Sequence, residues 1–396
     1  MNNIQRWDVT LTCPVACKIT IRQAQALGIC FCKFMAWITQ GVFTAKTFTA
    51  TASRKAWVLP ILAAALAVGS GCQFYQNSIP AQSESSAPGG LPPRGPSVRP
   101  LTSRTFERTP ERLARGRYLA NGICACFSCH APPDMKTPGL APVAGKEGSG
   151  FDFTAFGFAG DVAPNITPDR ETGAGTWTDD MFARAIREGV GHDGRFLDPS
   201  MMPYEFFRSL SDEDLASIVV YIRSLPARRN TLPKTTASPT LVAPNAIPIT
   251  TPVPAPDLAT PAKRGAYLSQ IGACQWCHTL RDENRKSLLG LEFGGGDLIP
   301  YVAGEVSSAN LTRDPSGIGY YDEDQFLKTM RTGKVGARRI SPMMPWWYFG
   351  QMTDADLKAL FAYLRTLKPV HHRVDNAEPV SYCRVCGRRH GAGALN

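Results

Sequence analysis

Two features that would indicate common functions are missing from this 396-residue sequence. It has no glycine-rich nucleotide fingerprint, so its composition does not favour substrate oxidation by this chain alone. It has no basic stripe with interleaved aromatic residues, and its net charge of +10 therefore does not indicate a nucleic-acid partner. Seven Lys or Arg and one Asp lie within residues 1–71, so this segment carries +6 of the total +10. Histidine is also scarce, with six in the whole chain.

Two of these histidines complete a motif that is present twice, Cys126-Phe127-Ser128-Cys129-His130 and Cys274-Gln275-Trp276-Cys277-His278. Each reads Cys-x-x-Cys-His, the spacing at which c-type haem is attached. The two thiols add to the haem vinyl groups, and the adjacent histidine lies under the ring as an iron ligand. The sequence therefore predicts two covalently bound haem c groups, held by Cys126, Cys129, Cys274 and Cys277, with His130 and His278 as proximal ligands.

The surroundings of the two motifs repeat as well. Gly116, Tyr118 and Leu119 recur 149 residues later, and the segment around Met202-Pro203 recurs 142 residues later as Met344-Pro345. An offset that changes in small steps between motifs indicates a duplicated unit with loop deletions. Helices are predicted at 111–120, after Thr178 and after Ser211, where Asp214 is placed to complete a capping box. Matching starts are predicted at Asp322 and Thr353.

The repeat also predicts the sixth iron ligands. Met202 and Met344 lie at equivalent positions, and the proline after each holds the backbone extended, so that the thioether can reach the iron. We choose them over their neighbours Met201 and Met343, where a register error of one residue stays open. The exposed position expected for His192 and the lack of a histidine at its counterpart support methionine ligation. Tyr204 and Trp346 follow the Met-Pro pairs and either cover the haem pockets or are ordinary core aromatics.

The amino-terminal region predicts export. Arg54 and Lys55 precede the apolar run 57–71, which is too short to span a bilayer and has the form of a secretory signal. It ends just before Cys72, as in a bacterial lipoprotein, although Gly69 replaces the usual leucine. We expect lipidation of Cys72, with simple cleavage or a retained signal anchor as alternatives, and a location on the periplasmic side. The start is predicted to be internal, at a residue such as Met35, and the upstream cysteines 13, 17, 30 and 32 are not expected to bind metal.

The motifs Asn165-Ile166-Thr167-Pro168-Asp169 and Met202-Pro203-Tyr204, with a later Leu-Ser-Asp-Glu-Asp-Leu, resemble the cytochrome c subunits of membrane-bound alcohol and gluconate dehydrogenases. The resemblance covers residues 108–228 and 260–370 and implies an all-α fold of two tandem cytochrome c-like domains joined by a Pro-rich linker. Such subunits typically carry three haem domains, so a particular partner is not implied. The predicted order is signal and upstream segment (1–71), flexible tether (72–107), first domain (108–228), linker (229–259), second domain (260–372) and Cys-containing tail (373–396).

Three further cysteines need explanation. Cys124 precedes the first haem thiols without a counterpart in the repeat and is predicted to be a buried or free thiol. In the tail, Cys383 and Cys386 form a Cys-x-x-Cys-Gly pattern that lacks the histidine of a haem site. They form a disulfide, or half of a zinc site that His390 and one of His371 or His372 would complete, or neither.

The leading functional hypothesis is an electron carrier and not an enzyme. Methionine on one side of the iron and histidine on the other leave no open face for oxygen or peroxide. Its partners would be other redox proteins, either a dehydrogenase or a terminal oxidase or cytochrome. The alternatives are a dihaem peroxidase, which needs one open iron, and the electron-transfer subunit of a dehydrogenase complex.

Overall fold

A computed structural model describes most of the chain after residue 97. The described ranges are residues 98–236, 248–282, 286–301 and 304–391, with the backbone of two short strands nearer the amino terminus. The contacts divide the chain into two compact units, Met1–Gly90 and Leu91–Asn396. Since residues 91–396 form one unit, their predicted division into two domains stays a prediction.

In the first unit, strand β1 (Leu11–Thr12) pairs in antiparallel fashion with β2 (Lys18–Ile19). Several predictions lie outside the described residues: the signal, lipidation of Cys72, the start at Met35, the four upstream cysteines, and most of the tether. Residues 237–247, in the middle of the predicted linker, also lie outside them.

Residues 98–236, called the first half below, are mostly helical. Their α-helices are α1 (Pro110–Asn121), α2 (Asp179–Glu188), α3 (Tyr204–Phe207) and α4 (Asp212–Arg223). A short antiparallel hairpin joins β3 (Phe151–Asp152) to β4 (Val162–Ala163). The hydroxyls of Thr109, Thr178 and Ser211 each accept the backbone N–H three residues ahead and so cap α1, α2 and α4. The predicted caps at Thr178 and Ser211 are confirmed.

Residues 248–391, called the second half, repeat this order. Their helices are α5 (Pro261–Ile271), α6 (Cys274–His278), α7 (Glu323–Thr332), α8 (Trp346–Phe349) and α9 (Asp354–Leu364). Three antiparallel hairpins join β5 (Leu298–Tyr301) to β6 (Gly304–Ser307), β7 (Lys334–Val335) to β8 (Arg338–Arg339), and β9 (Ser381–Tyr382) to β10 (Arg389–His390). Asp322 and Thr353 cap α7 and α9, as predicted.

In each half the first and last long helices cross at a glycine. A Cβ atom at Gly116 of α1 would overlap the carbonyl oxygen of Ser217 in α4, and one at Gly265 of α5 would overlap that of Ala359 in α9. The backbones can approach this closely because glycine has no side chain. The repeated Gly-x-Tyr-Leu pattern is therefore explained in part by helix packing.

The first helix of each half also reaches across to the last helix of the other half. The Tyr118 hydroxyl donates to the Asp356 carboxylate (2.5 Å), and the Tyr267 hydroxyl donates to the Asp214 carboxylate (2.7 Å). Both partners of one bond are equivalent in the repeat to the partners of the other. The two halves are therefore joined by a reciprocal pair of contacts.

Each carboxylate also binds an arginine from the first helix of its own half. Arg115 donates twice to Asp214 (2.7 and 2.9 Å), and Arg264 donates to Asp356. We predicted from the sequence that Asp214 would complete a capping box at the start of α4. Its carboxylate instead binds Arg115 and Tyr267, because the start of α4 is packed against both first helices.

One hydrophobic core runs through both halves and includes Ile123 and Phe127 from the first and Ile271 and Met352 from the second. The described residues are mostly helical with a few short strands, which agrees with the predicted all-α class. No helix in the described ranges is both long and apolar enough to cross a membrane.

Candidate functional site

The first Cys-x-x-Cys-His motif forms a tight turn directly after α1. Residues Cys126–Ser128 form a 3-10 turn, entered through Ala125, whose φ of 44° lies in the left-handed region. The thiols of Cys126 and Cys129 are half-buried and free. Burial raises the pKa of Cys126 to about 12 and also raises the pKa of Cys129. Both thiols are therefore neutral and available for a covalent bond.

The second motif has the same form at the equivalent place. It forms the short helix α6, entered through Ala273 with a φ of 53°. Cys274 and Cys277 are likewise half-buried and free, and burial raises their pKa values to about 11 and about 12. The repeated left-handed residue turns the chain sharply between the first helix and the motif, so that both thiols lie on one turn.

The histidine of each motif is held in one orientation. His130 Nδ1 lies 3.0 Å from the Pro164 carbonyl oxygen, and His278 Nδ1 lies 2.7 Å from that of Ala309. In this arrangement Nδ1–H donates to the carbonyl, and Nε2 keeps the lone pair that can bind a metal. A metal-binding histidine usually makes such a hydrogen bond with its other ring nitrogen. Burial lowers the pKa of both imidazoles. A neutral ring with a free Nε2 beside two free thiols fits a covalently attached haem.

A buried asparagine positions each of these carbonyl groups. Asn165 directly follows Pro164, and its Oδ1 accepts hydrogen bonds from the backbone N–H and the hydroxyl of Thr167 (3.0 and 2.7 Å). Asn310 Oδ1 does the same for Thr312 (2.9 and 2.8 Å), directly after Ala309. The Asn-x-Thr part of the recognised motif therefore closes the loop that orients the proximal histidine.

Met202 and Met344 lie at the start of α3 and α8 and pack against the hydrophobic core. The carbonyl of each accepts the N–H two residues ahead, at 2.7 Å from Tyr204 and 2.6 Å from Trp346. This tight turn around the proline gives both methionines the same backbone geometry. Their role as axial ligands, and the choice over Met201 and Met343, stay predictions.

Tyr204 and Trp346 pack as core aromatics against the ends of neighbouring helices. The Tyr204 ring covers Gly189 at the end of α2, and the Trp346 ring covers Gly333 at the end of α7. Both glycines have positive φ values, 67° and 62°. These contacts explain the aromatic after each Met-Pro pair as a support for the methionine loop.

The segments after each Met-Pro pair also face the motif region of the other half. Arg281, just after the second motif, places its guanidinium 5.3 Å from the centre of the Phe206 ring in α3. In the opposite direction, a Cβ at Gly139 of the first half would lie 2.7 Å from Trp347 Cβ in α8. The two contacts again form a reciprocal pair, which the sequence did not predict because it joins segments far apart in the chain.

Tyr348, next to Trp347, is buried in the hydrophobic core that both halves share. Burial raises its pKa, and the electrostatic influence of the Cys129 and Cys126 thiols raises it further. Its buried hydroxyl has no hydrogen-bond partner among the described residues. A buried hydroxyl without such a partner, in the core that also contains Ala125 and Phe127, fits a further group bound in this region.

The structure brings the tail residues together in a separate cluster. Ligand atoms of Cys383, Cys386, His390 and His372 all lie within 4.8 Å of one another. No disulfide joins the two cysteines, which are free. Between the histidines that the sequence left open, His372 is the one in the cluster, while His371 is exposed and contacts Asp314.

Two candidates remain, His192 and Cys124. His192 is exposed and stacks on Trp177 with ring centres 4.4 Å apart, in keeping with the predicted surface position. Cys124 is a buried free thiol, and burial raises its pKa well above the usual value.

Known proteins with similar sequences are dehydrogenase subunits and cytochromes, although no protein-family model matches the chain. A nicotinate dehydrogenase subunit of Pseudomonas putida is 31% identical over 275 residues, 65% of this chain and 21% of that protein. The fructose dehydrogenase cytochrome subunit of Gluconobacter japonicus is 29% identical over 70% of this chain and 56% of its own length. A diheme cytochrome c-type protein of Cereibacter sphaeroides is 28% identical over 62% of this chain and 82% of its own length.

The homologues of this chain thus include cytochrome c subunits of fructose, gluconate and alcohol dehydrogenases and a diheme cytochrome c. This confirms the resemblance seen in the motifs and supports an electron-transfer cytochrome with covalently bound haem c. The match spans about a fifth of the first relative and just over half of the second, so the activities of those whole proteins are not transferred to this chain.

Proposed function

We propose that this chain is a dihaem c-type cytochrome that relays single electrons between redox proteins. Two cytochrome c-like domains, residues 108–228 and 260–372, joined by the Pro-rich linker 229–259, would each hold one haem. Cys126 and Cys129 attach the first haem, and Cys274 and Cys277 attach the second. Each bound haem iron supplies one reversible one-electron couple.

The residues of the chain hold the iron and close it. His130 and His278 present a fixed, neutral Nε2 because Nδ1 is bound to a backbone carbonyl. Met202 and Met344 would supply a second side-chain ligand to each iron, and both side chains pack against the hydrophobic core. Ligation by histidine and methionine favours the ferrous state and raises the potential.

The reciprocal contact between the two motif regions is the observation that carries the relay. Trp347, three residues after Met344, packs against Gly139, nine residues after His130. Arg281, three residues after His278, lies over the Phe206 ring, four residues after Met202. Each haem-binding motif thus faces the methionine segment of the other half, which supports electron exchange within one molecule.

The relatives support a place beside a dehydrogenase. A cytochrome subunit of fructose dehydrogenase and one of gluconate 2-dehydrogenase are among them. We infer that a dehydrogenase delivers electrons and that an oxidase or another cytochrome receives them, on the periplasmic side of the membrane. Lipidation at Cys72, or a retained signal anchor, would keep the chain at that membrane.

Spectroscopy of the purified holoprotein tests the closed irons. We expect two haems per chain, the weak near-infrared absorption of a ferric iron–methionine bond from both, and no carbon monoxide binding after reduction. Met202→Ala and Met344→Ala should each halve that absorption and add one carbon monoxide site, while the neighbours Met201→Ala and Met343→Ala should not. A wild-type protein that binds carbon monoxide at one iron and turns over hydrogen peroxide would instead be a peroxidase.

Flash reduction of the holoprotein tests the relay. After one electron is injected, its redistribution between the two haems should be first order and independent of protein concentration. A rate that rises in proportion to protein concentration would mean that electrons pass only between molecules, and the relay proposal would then be wrong.

A further inference from the structure

The cluster in the tail is built on a hairpin whose two strands are each two residues long. Strands β9 and β10 pair Tyr382 with Arg389 and Ser381 with His390. At the turn between them, the N–H of Gly387 donates to the Cys383 carbonyl (3.0 Å), and the φ of Gly387 is 69°. This left-handed turn, which favours glycine, places the Cys383 and Cys386 thiols on one side of the hairpin. The Cys-x-x-Cys-Gly pattern therefore forms a knuckle with both sulfur atoms directed the same way.

Two histidines approach this knuckle from the protein side. His372 is 0% exposed and His390 is 6% exposed, and their ring centres lie 5.1 Å apart. The Nε2 atom of each ring is buried and has no hydrogen-bond partner among the described residues. Two buried imidazole nitrogens without partners are costly unless something binds them.

The other nitrogen of His372 is engaged. Its Nδ1 lies 2.8 Å from the Gly294 carbonyl oxygen, and the ring packs against Gly296. This contact fixes the ring with Nε2 directed toward the two thiols. A metal-binding histidine is commonly oriented in this way by a backbone carbonyl.

The first half shows that histidine is not needed for that hydrogen bond. Asn230 occupies the position equivalent to His372, and its Nδ2 donates to the Ser149 carbonyl (2.8 Å), the counterpart of Gly294. The backbone N–H groups also match, with Asn230 bound to Thr172 and His372 bound to Ser316. Asparagine thus meets the structural need in the first half, and the extra nitrogen of His372 serves the cluster.

We propose that Cys383, Cys386, His372 and His390 bind one Zn²⁺ ion in a tetrahedral structural site. Two thiolates and two imidazoles are a donor set that zinc prefers, and the two thiol protons are released on binding. Zinc–sulfur bonds of about 2.3 Å and zinc–nitrogen bonds of about 2.0 Å place ligand atoms roughly 3.3–3.8 Å apart. The present spacing, within 4.8 Å, needs only a small contraction.

The bound ion would fasten the tail to the loop behind the second motif. The N–H of Gly295 donates to the carbonyl of His278 (2.9 Å), next to the Gly294 carbonyl that orients His372. The site is therefore connected to the backbone of the second proximal histidine. This proposal stands on the tail residues alone and does not depend on the electron relay.

Metal analysis of the full-length holoprotein, isolated without added chelator, tests the site. We expect about one zinc per chain by inductively coupled plasma mass spectrometry. His372→Asn, which keeps the Gly294 hydrogen bond as Asn230 does in the first half, should lose the zinc, and so should Cys383→Ser. The adjacent exposed residue supplies the control, since His371→Asn should keep it. The visible haem spectrum reports whether each variant is folded.

Several results would overturn the proposal. The first is a wild-type protein that contains no zinc and shows a Cys383–Cys386 disulfide in non-reducing peptide mass spectrometry. The second is zinc that persists in folded His372→Asn, and the third is a different metal bound in place of zinc. If a variant does not fold, alkylation of the wild-type protein decides: Cys383 and Cys386 should react with iodoacetamide only after zinc is removed by a chelator. Equal reaction before and after would contradict the site.

Discussion

The two halves of the molecule agree closely around the histidine of each motif and differ where extra chain is attached. In both halves an alanine with positive φ precedes the motif, and Nδ1 of the motif histidine forms a hydrogen bond with a backbone carbonyl. A buried asparagine closes the loop that carries this carbonyl. The segments attached before the first core and after the second core have no counterparts in the other half. A duplicated core has been retained where a haem would be held, while its edges have diverged.

In the first half the extra chain comes before the core. Arg99, in residues 98–109 ahead of α1, donates twice to Asp180 of α2, both at 2.7 Å, and once to Glu188 at 2.8 Å. The equivalent of Asp180 in the second half is Asp324, which is exposed. The first half thus uses a buried ion pair to hold its amino-terminal segment.

In the second half the extra chain comes after the core. The Asn376 side chain donates to the Ser307 carbonyl (2.7 Å) and accepts its N–H (2.8 Å), and His372 leads into the cysteine cluster. The polar contacts of these attached segments are therefore specific to each half, whereas those that orient the motif histidine are shared. This comparison leads to three predictions, from the largest expected effect to the smallest.

Removing the loop asparagines should have the largest effect. Asn165→Ala and Asn310→Ala each leave buried groups of the following threonine unpaired, and we expect each to lower the free energy of unfolding by about 3 kcal/mol. Asn310→Ala should cost more, because Asn310 Nδ2 donates to the carbonyls of both Val370 and His372, whereas Asn165 Nδ2 reaches a single backbone carbonyl, that of Arg228. Denaturant unfolding followed by haem absorption measures both.

The half-buried Asn121, at the end of α1, provides the control for this pair. Asn121→Ala should cost less than either loop variant. If all three variants were equally stable, the buried asparagines would not be what holds the histidine loops.

The ion pair of the first half should make stability depend on pH. Burial acts to raise the pKa of Asp180, but hydrogen bonds from Arg99 and Thr102 outweigh it and lower the pKa to about 2. Since this lies below the unfolded value of about 3.9, Asp180 stabilises the fold above that pH, and the stabilisation is lost as the pH falls toward 2. Asp180→Asn should therefore lower the free energy of unfolding by about 2 kcal/mol at pH 7 and by little near pH 2.

Asp324→Asn is the matched control for Asp180→Asn and should change the free energy of unfolding by less than about 0.5 kcal/mol at either pH. Denaturant titrations at several pH values supply the comparison. A difference between Asp180→Asn and wild type that stayed constant down to pH 2 would show that the ion pair is not its origin.

The reciprocal tyrosines should have the smallest effect. Tyr118→Phe and Tyr267→Phe each remove the hydrogen bond to a carboxylate and the one that the hydroxyl accepts from the backbone N–H of Thr353 or Ser211. Since each carboxylate keeps its arginine, Arg264 or Arg115, each variant should cost about 1 kcal/mol. Urea unfolding of both variants tests whether the two contacts are equivalent. Tyr320, which is 67% exposed, offers the control Tyr320→Phe with no measurable change expected. Costs that differ several-fold between Tyr118 and Tyr267 would break the reciprocity.

Much of this arrangement could be predicted because it is local. The spacing of Cys126, Cys129 and His130 is set by the chemistry of haem attachment, and the caps at Thr178 and Thr353 depend on residues three positions apart. The carboxylate of Asp214 was expected at the start of its own helix, yet it binds Arg115 and Tyr267. These partners are 99 and 53 residues away, and no local pattern distinguishes them.

The sequence by itself determined the two motifs, their repeat and the methionine-proline pairs, since each is a pattern of neighbouring residues with its own chemistry. Only the tertiary structure decided that His372, and not His371, joins Cys383 and Cys386, and that Trp347 packs against Gly139 of the other half. Adjacent histidines differ little in sequence but point in different directions once the loop that carries them is closed by Asn310. Packing of distant segments, and not residue type, selects between them.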